Sequence, residues 1–380
     1  MKIFISFLQS TKQHPIAAYS FWEYYIKNGI SESGHQWMEC SEVDWALGLV
    51  PQPKTAFDNW KSHAWEKTVS FIKTNRPDLF LSYLYPEQVD TDAISEIQKL
   101  GVQCVNFFCD NVRLFKTAPS IYEKFNLNWV PEYKAIKLYQ KAGFPYIHLP
   151  MPMWVEPRYR QPETNELDNI SFIGSRDIQR LLFFEKLTEL APKLRLNIYG
   201  SGWANAEEEI GLEKQSAFKK VGNQIRFIGQ HGLKAYANKL KFGNFNPSIS
   251  NDLQKFIKGK LNFEDYTKIT RESKITIGIN RYPSFKYSLV QPDTYSRLRD
   301  IEAPMLGACY LTEWTEGIDQ LYDLGTEIET FRNHEQLIEK IKELEIDKAK
   351  RKLLRIKGQQ RAIAKNTIGE SLNQIKCAIR

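Results

Sequence analysis

The chain of 380 residues is longer than one hydrophobic core usually supports, so we expect two domains. Its 42% hydrophobic and 26% charged residues are ordinary for a folded globular protein, and no segment reaches the roughly 18–20 consecutive apolar residues of a membrane-spanning helix. The 52 basic and 45 acidic residues leave a formal net charge of +7, which favours anionic partners such as nucleoside diphosphates, acidic glycans, nucleic acid or anionic lipid.

In the first half of the chain, short apolar runs alternate with helix-like segments, a pattern that favours parallel α/β layers. Strands are predicted at Lys2–Leu8, Leu79–Tyr83, Val102–Phe108, Asn128–Val130 and Tyr146–Leu149. Helices are predicted between them at Ala18–Lys27, Trp60–Thr74 and Thr91–Leu100. We expect residues 1–157 to form a first Rossmann-like domain.

A proline-dense passage from Pro145 to Pro162 follows these elements. Proline lacks a backbone N–H and opposes regular structure, so this passage is predicted to connect two domains.

The same alternation then restarts and predicts a second Rossmann-like domain over residues 165–345. Its strands are predicted at Ile170–Ile173, Leu194–Tyr199, Ile225–Ile228, Lys274–Ile279, Ala308–Thr312 and Glu327–Phe331, and its helices at Ile178–Leu190, Tyr266–Glu272, Ser296–Met305 and Glu335–Leu344. The polar span Lys239–Leu261 is predicted to be an irregular insertion or loop. A last helix near Asn366–Ile379, within residues 366–380, should pack back on the first domain. Two such domains are expected to face a cleft that binds ligands.

One candidate phosphate loop follows the first strand of the second domain, where Ile173 is followed by Gly174, Ser175 and a helix. Small residues at a helix N-terminus let backbone N–H groups and the helix dipole meet a phosphate. Arg176 or Arg180 would add charge-assisted hydrogen bonds. A tight turn alone would also require the glycine, so both interpretations stay open.

A second glycine-containing loop, Gly200-Ser-Gly202, contains only part of a dinucleotide-binding motif. The position of the third glycine of G-x-G-x-x-G is Asn205, and no acidic ribose partner is evident. This pattern argues against a dehydrogenase.

The most informative segment runs from Tyr295 to Thr312. Leu298, Ile301 and Met305 share one helical face, which should pack on the sheet. Arg299 and Glu302 lie off that face. A carboxylate there can accept hydrogen bonds from both ribose hydroxyls, and an arginine one turn away can meet a diphosphate.

This segment resembles the nucleotide-binding signature of GT-B glycosyltransferases, especially the spore-maturation-protein-like family of group-1-type transferases. The similarity covers about Ile170 to Ile341. Its motifs are Phe172-Ile-Gly-Ser175, Arg299-Asp-Ile-Glu302, Gly307, Leu311-Thr312, Gly317-Ile-Asp-Gln-Leu321 and the stretch from Gly325 to Ile341.

The resemblance implies an α/β GT-B fold and a nucleoside-diphosphate sugar as donor substrate, with no other cofactor. By this resemblance Glu302 would bind the ribose, with Thr312 on the neighbouring strand. Many retaining relatives carry a second glutamate eight residues earlier, whereas this chain has Thr294 there, with Asp293 beside it. Retention of anomeric configuration is therefore in doubt, and Asp293 is a candidate substitute.

Two further basic residues, Arg281 and Lys286, follow a predicted strand and are candidates for neutralising the leaving diphosphate; a solvated loop is the alternative. The chain has no Asp-x-Asp, so we expect no essential metal. Its five cysteines form no Cys-x-x-Cys pair and no metal-ligand spacing with histidines.

Two residues of the first domain are candidate general bases. Asp110 ends a predicted strand at the edge that faces the cleft in parallel sheets, and relatives often have an aspartate there. It is predicted to accept the proton of the acceptor hydroxyl in an inverting displacement, with capping of the next loop as the alternative. His14, after the first strand, is the rival base.

The predicted activity is transfer of a sugar to a hydroxyl acceptor such as a glycan, lipid-linked glycan or protein. The alternatives are a nucleotide-sugar epimerase on the same fold, a non-catalytic nucleotide-sugar or glycan-binding protein, and a DNA-base glycosyltransferase of the phage type. A basic cluster, formed by Lys348, Lys350, Arg351, Lys352, Arg355 and Lys357, suggests either a solvated helix or peripheral membrane contact. The N-terminal apolar run is too short for a signal peptide, so a cytoplasmic location is expected.

Overall fold

The computed structural model of the chain describes residues 1–10, 12–14, 19–162, 165–203, 247–284 and 287–379. The predicted strand Ile225–Ile228, residue Lys286 and the first part of the span Lys239–Leu261 lie outside the described residues. The chain divides into two compact units. The first unit comprises Met1–Val155 and Ala364–Arg380, and the second comprises Glu156–Ile363.

The first unit contains a parallel sheet, whose described strands follow the order β2-β1-β3-β4-β5-β6. Their bounds are Lys2–Ser6 (β1), Gln36–Met38 (β2), Leu79–Ser82 (β3), Gln103–Phe107 (β4), Leu127–Val130 (β5) and Tyr146–His148 (β6). The helices between them are Tyr19–Glu32 (α1), Lys54–Asn75 (α2), Thr91–Lys99 (α3), Asn111–Leu114 (α4) and Ile136–Ala142 (α5). Every residue of β3 and β5 is buried, because helices cover both faces of such parallel sheets.

A C-terminal helix, Ile368–Ala378 (α13), completes this first unit. Its residues Ile368, Leu372 and Ile375 are buried. It packs closely on α1, since a Cβ atom added at Gly29 would lie 2.5 Å from Cδ1 of Ile368 and 2.7 Å from its Cβ. Gly29 therefore allows a helix-to-helix approach that no larger residue would permit unchanged.

The second unit contains another parallel sheet, with the described strands in the order β12-β11-β10-β7-β8-β9. Their bounds are Leu167–Ile173 (β7), Leu196–Tyr199 (β8), Ile257–Gly259 (β9), Ser273–Gly278 (β10), Tyr310–Glu313 (β11) and Glu329–Phe331 (β12). The described helices are Ile178–Leu190 (α6), Asn251–Gln254 (α7), Phe263–Glu272 (α8), Arg299–Met305 (α9), Ile318–Leu321 (α10), His334–Ile346 (α11) and Lys348–Lys365 (α12), the last of which ends in the first unit. Its core includes Ile170, Phe172, Ile275, Ile277 and Leu311 from the central strands.

Two differences between the structure and the sequence-based prediction lie in the second unit. The described part of Lys239–Leu261 contains α7 and an edge strand, β9, which pairs in parallel with β8. The helix predicted at Ser296–Met305 begins only at Arg299, because the carboxylate of Asp300 accepts hydrogen bonds from the Ser296 hydroxyl at 3.0 Å and the Arg297 N–H at 2.9 Å. These bonds hold Ser296 and Arg297 in a turn before the helix.

Candidate active site

The glycine-containing loops after β7 and β8 lie against each other at the carboxyl edge of the second sheet. Gly200 has φ of 140°, and a Cβ atom there would collide with the carbonyl oxygen of Gly174. The hydroxyls of Ser175 and Ser201 lie 2.9 Å apart, and the Arg176 N–H donates to the Ser201 carbonyl at 2.8 Å. Gly174 and Ser175 are thus held by the neighbouring loop at the start of α6, where helical N–H groups favour an anion.

Arg180 lies beside this loop rather than in solvent. Its Nη1 donates to the carbonyl of Ser175 at 2.8 Å, and its Nε lies 3.4 Å from the carboxylate of Asp177. Its guanidinium carbon lies 5.4 Å from the ring centroid of Phe172. Burial, with the nearby positive charge of Arg297, lowers the pKa of Arg180 to about 10. This local excess of positive charge suits an anionic ligand.

Sequence reasoning did not identify Arg297 as a candidate. Its guanidinium lies 4.8 Å from the ring centroid of Tyr295, and its Nη2 donates to the carbonyl of Arg281. Its Nε is buried and has no hydrogen-bond partner among the described residues. The sequence offered no signal beyond its position before α9, because only the fold brings Arg297 near Arg180.

The predicted pair Arg299 and Glu302 comes together on α9, with Tyr266 of α8 as a third member. The Tyr266 hydroxyl donates to the Glu302 carboxylate, and the guanidinium of Arg299 lies 3.5 Å from the same oxygen. Arg299 also donates to the carbonyl of Ile173 at 3.4 Å. Glu302 is buried, with only 5% of its side chain exposed. The structure therefore places this carboxylate near the end of β7, from which the Gly174–Ser175 loop starts.

Thr312 lies in a buried polar network next to this pair. Its hydroxyl donates to Asp300 at 3.0 Å, as does that of Tyr310 at 2.9 Å. The side-chain amide of Asn280 donates to the main-chain carbonyl of Glu313 at 2.8 Å. The Thr312 hydroxyl thus fixes α9 on the sheet in this structure, and a contact with the donor remains a prediction.

The remaining candidates of the second unit lie after β10. Arg281 is buried, forms an ion pair with Glu313 at 2.7 Å and lies over the ring of Phe183 at 4.5 Å. Thr294 pairs with Arg281 in an antiparallel β-bridge, and Asp293 beside it is exposed. Arg281 therefore has a carboxylate partner, which weakens its attraction for a diphosphate.

In the first unit, Asp110 lies directly before α4 at the carboxyl end of β4. Its side chain makes no capping hydrogen bond and instead accepts one from Arg113 at 2.7 Å. The neighbouring Glu132, which the sequence analysis missed, is buried and accepts from the Asn111 N–H at 2.6 Å. Burial, together with the charge of Asp110, raises the pKa of Glu132 to about 8.

His14, the rival base, pairs with a carboxylate of the same unit. Its Nε2 lies 2.7 Å from Oδ2 of Asp44. Asp44 also accepts hydrogen bonds from the Ser10 hydroxyl at 2.9 Å and the Leu47 N–H at 3.0 Å. A carboxylate fixed in this way holds one ring nitrogen of the histidine and so selects the imidazole tautomer.

Metal-ligand clusters and membrane-spanning helices are both absent from the described residues. In the part of the chain that the structure covers, no three His, Cys, Asp or Glu side chains come together to hold a metal ion. No described helix is both long and apolar enough to cross a membrane.

Three solved structures resemble the chain over nearly its full length. A sucrose-phosphate synthase from Thermosynechococcus elongatus is 10% identical, with a TM-score of 0.61 over 99% of this chain and 98% of that one. A glycosyltransferase from Rickettsia africae is 11% identical, with a TM-score of 0.58 over 100% and 97%. HepE of Anabaena, solved in complex with UDP, is 12% identical, with a TM-score of 0.58 over 99% and 99%. These similarities show the fold and confirm the predicted α/β class of two Rossmann-like units.

Among curated proteins, none has a sequence that matches this chain. Residues 179–376, just over half of the chain, match the family described as glycosyl transferase-like. The chain therefore belongs to the glycosyl transferase-like family and is a glycosyltransferase with the GT-B fold.

Proposed function

We propose that the second unit binds a nucleoside-diphosphate sugar and that the enzyme transfers the sugar to a hydroxyl acceptor without an essential metal ion. The observation that carries this proposal is the position of Arg180 and Arg297 beside the Gly174–Ser175 loop, where the lowered pKa of Arg180 reflects burial and a neighbouring positive charge. An anion bound there relieves the repulsion between the two guanidinium groups.

The diphosphate is the part of the donor that this cluster suits. The backbone N–H groups at the start of α6 and the guanidinium groups of Arg180 and Arg297 supply hydrogen bonds and positive charge. These groups take the role of a divalent cation and stabilise the diphosphate as it leaves. The ion pair of Arg281 with Glu313 makes Arg281 a lesser contributor.

The ribose is assigned to Glu302. Its carboxylate lies beside the end of β7, where Tyr266 and Arg299 fix its orientation. A carboxylate with fixed orientation can accept hydrogen bonds from adjacent ribose hydroxyls, as the predicted family role requires.

For the reaction, we propose that His14 acts as the general base. With Nε2 donating to Asp44, the other ring nitrogen, Nδ1, accepts the proton of the acceptor hydroxyl. The acceptor oxygen bonds to the anomeric carbon while the bond from that carbon to the diphosphate oxygen breaks, which inverts the configuration. Asp110 is the second choice, because its carboxylate is already paired with Arg113.

The five cysteines support a cytoplasmic location as part of the proposal. All of them lie in the described residues and are free thiols, as expected in a reducing compartment.

Calorimetry that measures the affinity for UDP tests the donor site directly. The same measurement with other nucleoside diphosphates shows which base the site prefers. Arg297→Gln should weaken diphosphate binding about tenfold or more, since it removes a charged donor from a poorly solvated site. Lys186→Gln is the matched control, because Lys186 is an exposed cation on the same helix α6. Equal affinities of the Arg297 variant and the wild type, with unchanged melting temperatures, would remove the diphosphate from this site.

A further inference from the structure

Helix α12 contains eight lysines and arginines and no acidic residue between Lys348 and Lys365. Four of these cations form contacts within the second unit, which corrects the expectation that the whole basic cluster is one solvated or ligand-binding surface. Arg361 donates to the carbonyl of Leu321 at 3.0 Å. Lys350 pairs with Glu329 and Glu343, the latter at 2.7 Å. Arg351 pairs with Glu166 at 2.6 Å, and Arg355 donates to the carbonyl of Ser273 at 2.6 Å.

The opposite side of the helix combines apolar and basic residues, which are exposed except for the half-buried Ile356. Ala349, Leu353 and Ile356 follow the spacing of one helical face. Leu353 is 40% exposed, and Lys352 and Lys357 lie exposed on either side of this apolar line. We call this surface, formed by Lys348, Ala349, Lys352, Leu353, Ile356 and Lys357, the basic face.

An additional apolar residue lies two positions before the helix. Ile346 is 86% exposed at the end of α11. The adjacent Asp347 accepts the Lys350 N–H at 2.8 Å and so caps the start of α12. An exposed apolar side chain therefore also precedes the first turn of the helix.

We propose that the basic face docks on the surface of an anionic lipid membrane. Lysines that flank an apolar line are arranged as in a helix lying in the membrane interface, where the apolar side chains enter the headgroup region. The lysine stems lie along the apolar surface while their ammonium groups reach the lipid phosphates. An exposed leucine between the lysines has no role in binding the phosphates of a nucleic acid, so lipid is the better match.

Flotation of the full-length protein with vesicles of phosphatidylcholine alone, and with vesicles that also contain anionic phosphatidylglycerol, tests the proposal. Wild type should bind the anionic vesicles and dissociate at high salt. Lys352→Glu/Lys357→Glu should lower the partition coefficient about tenfold or more, and Leu353→Asn should lower it severalfold at constant charge.

The control variant is Lys186→Glu/Lys193→Glu, which makes the same change in charge on exposed residues of α6 and of the turn that follows it. It should keep the partition coefficient within about twofold of wild type. Equal losses in both double variants, or wild type that stays unbound to anionic vesicles, would overturn the proposal. The second result would instead direct attention to an acidic protein partner. Melting temperatures of all variants identify any loss that is due to unfolding, and Leu353→Asn provides an independent readout if a double variant is unstable.

Discussion

The two candidate bases of the first unit differ in what surrounds their reactive atoms. His14 is bonded to a carboxylate that is itself fixed by Ser10 and Leu47. Asp110 is bonded to the guanidinium of Arg113, so its carboxylate already has a charged hydrogen-bond partner.

His14→Gln should therefore lower kcat by about 10²–10⁴-fold, the usual contribution of a general base. Asp110→Asn should lower kcat by less than about tenfold. Both variants should bind the donor as wild type does, which calorimetry checks alongside steady-state kinetics. The opposite ranking of the two variants, with both folded, would return the role to Asp110.

Glu132 should make the stability of the protein depend on pH. Its pKa is raised from 4.5 to about 8 in the folded chain by burial and by Asp110. Between these two pH values the Glu132 carboxyl is ionised in the unfolded chain and protonated in the folded chain. The free energy of unfolding therefore falls as the pH rises from about 4.5 to about 8, and above about pH 8 the contribution of Glu132 no longer changes.

Glu132→Gln removes this titration, so its melting temperature should decline less than that of wild type between pH 5 and about pH 8. Glu123→Gln, at an exposed position of the same unit, should follow wild type. Parallel profiles for wild type and Glu132→Gln would mean that Glu132 stays ionised in the folded protein.

At the scale of the elements, the sequence predicted the central strands well, because apolar runs buried on both faces are easy to see. It did not predict β2 and β9, which are short edge strands with polar residues and no clear alternation. Such strands form because the backbone of a neighbouring strand offers hydrogen bonds, and this pairing cannot be predicted from the local residue pattern. The start of α9 was misplaced for a similar reason, since the carboxylate of Asp300 competes locally with the helix.

The contact between α1 and α13 leads to a prediction at this scale. Gly29→Ala should destabilise the protein by about 1–3 kcal/mol, because the added methyl group overlaps Ile368. Ile368→Ala should also destabilise it, by loss of buried surface. The double variant should lose less than the sum of the two, since the smaller residue makes room for the new methyl group. Urea denaturation measures all three, and strictly additive losses would contradict the close contact.

For the molecule as a whole, the sequence predicted the fold and the presence of Arg299 and Glu302 on one helix, α9. These features depend on local patterns and on a family signature. The partners of those residues were not predictable from it. Asp44 lies 30 residues from His14, and Tyr266 lies 36 residues from Glu302. Only the tertiary structure brings such pairs together, and the same is true of Arg180 and Arg297.

Metal dependence tests the proposed reaction at this same scale. If arginines and the α6 N-terminus neutralise the diphosphate, sugar transfer should continue at a similar rate in excess EDTA. Loss of activity that manganese or magnesium restores would show that a bound cation neutralises the diphosphate.

Incubation of the donor without acceptor, analysed by NMR, should yield no epimerised nucleotide sugar. Such a product would identify the enzyme as an epimerase.

The first unit is formed from two separate segments of the chain, so its last helix is synthesised after the whole of the second unit. The ribosome completes residues 156–363 before it makes α13, so the contiguous second unit can fold while the first still lacks its last helix. During that interval the surface of α1 around Gly29 has no α13 to cover it. Nascent chains stalled after residue 363 should therefore bind chaperones through the N-terminal unit, and release should follow translation of the segment that contains Ile368.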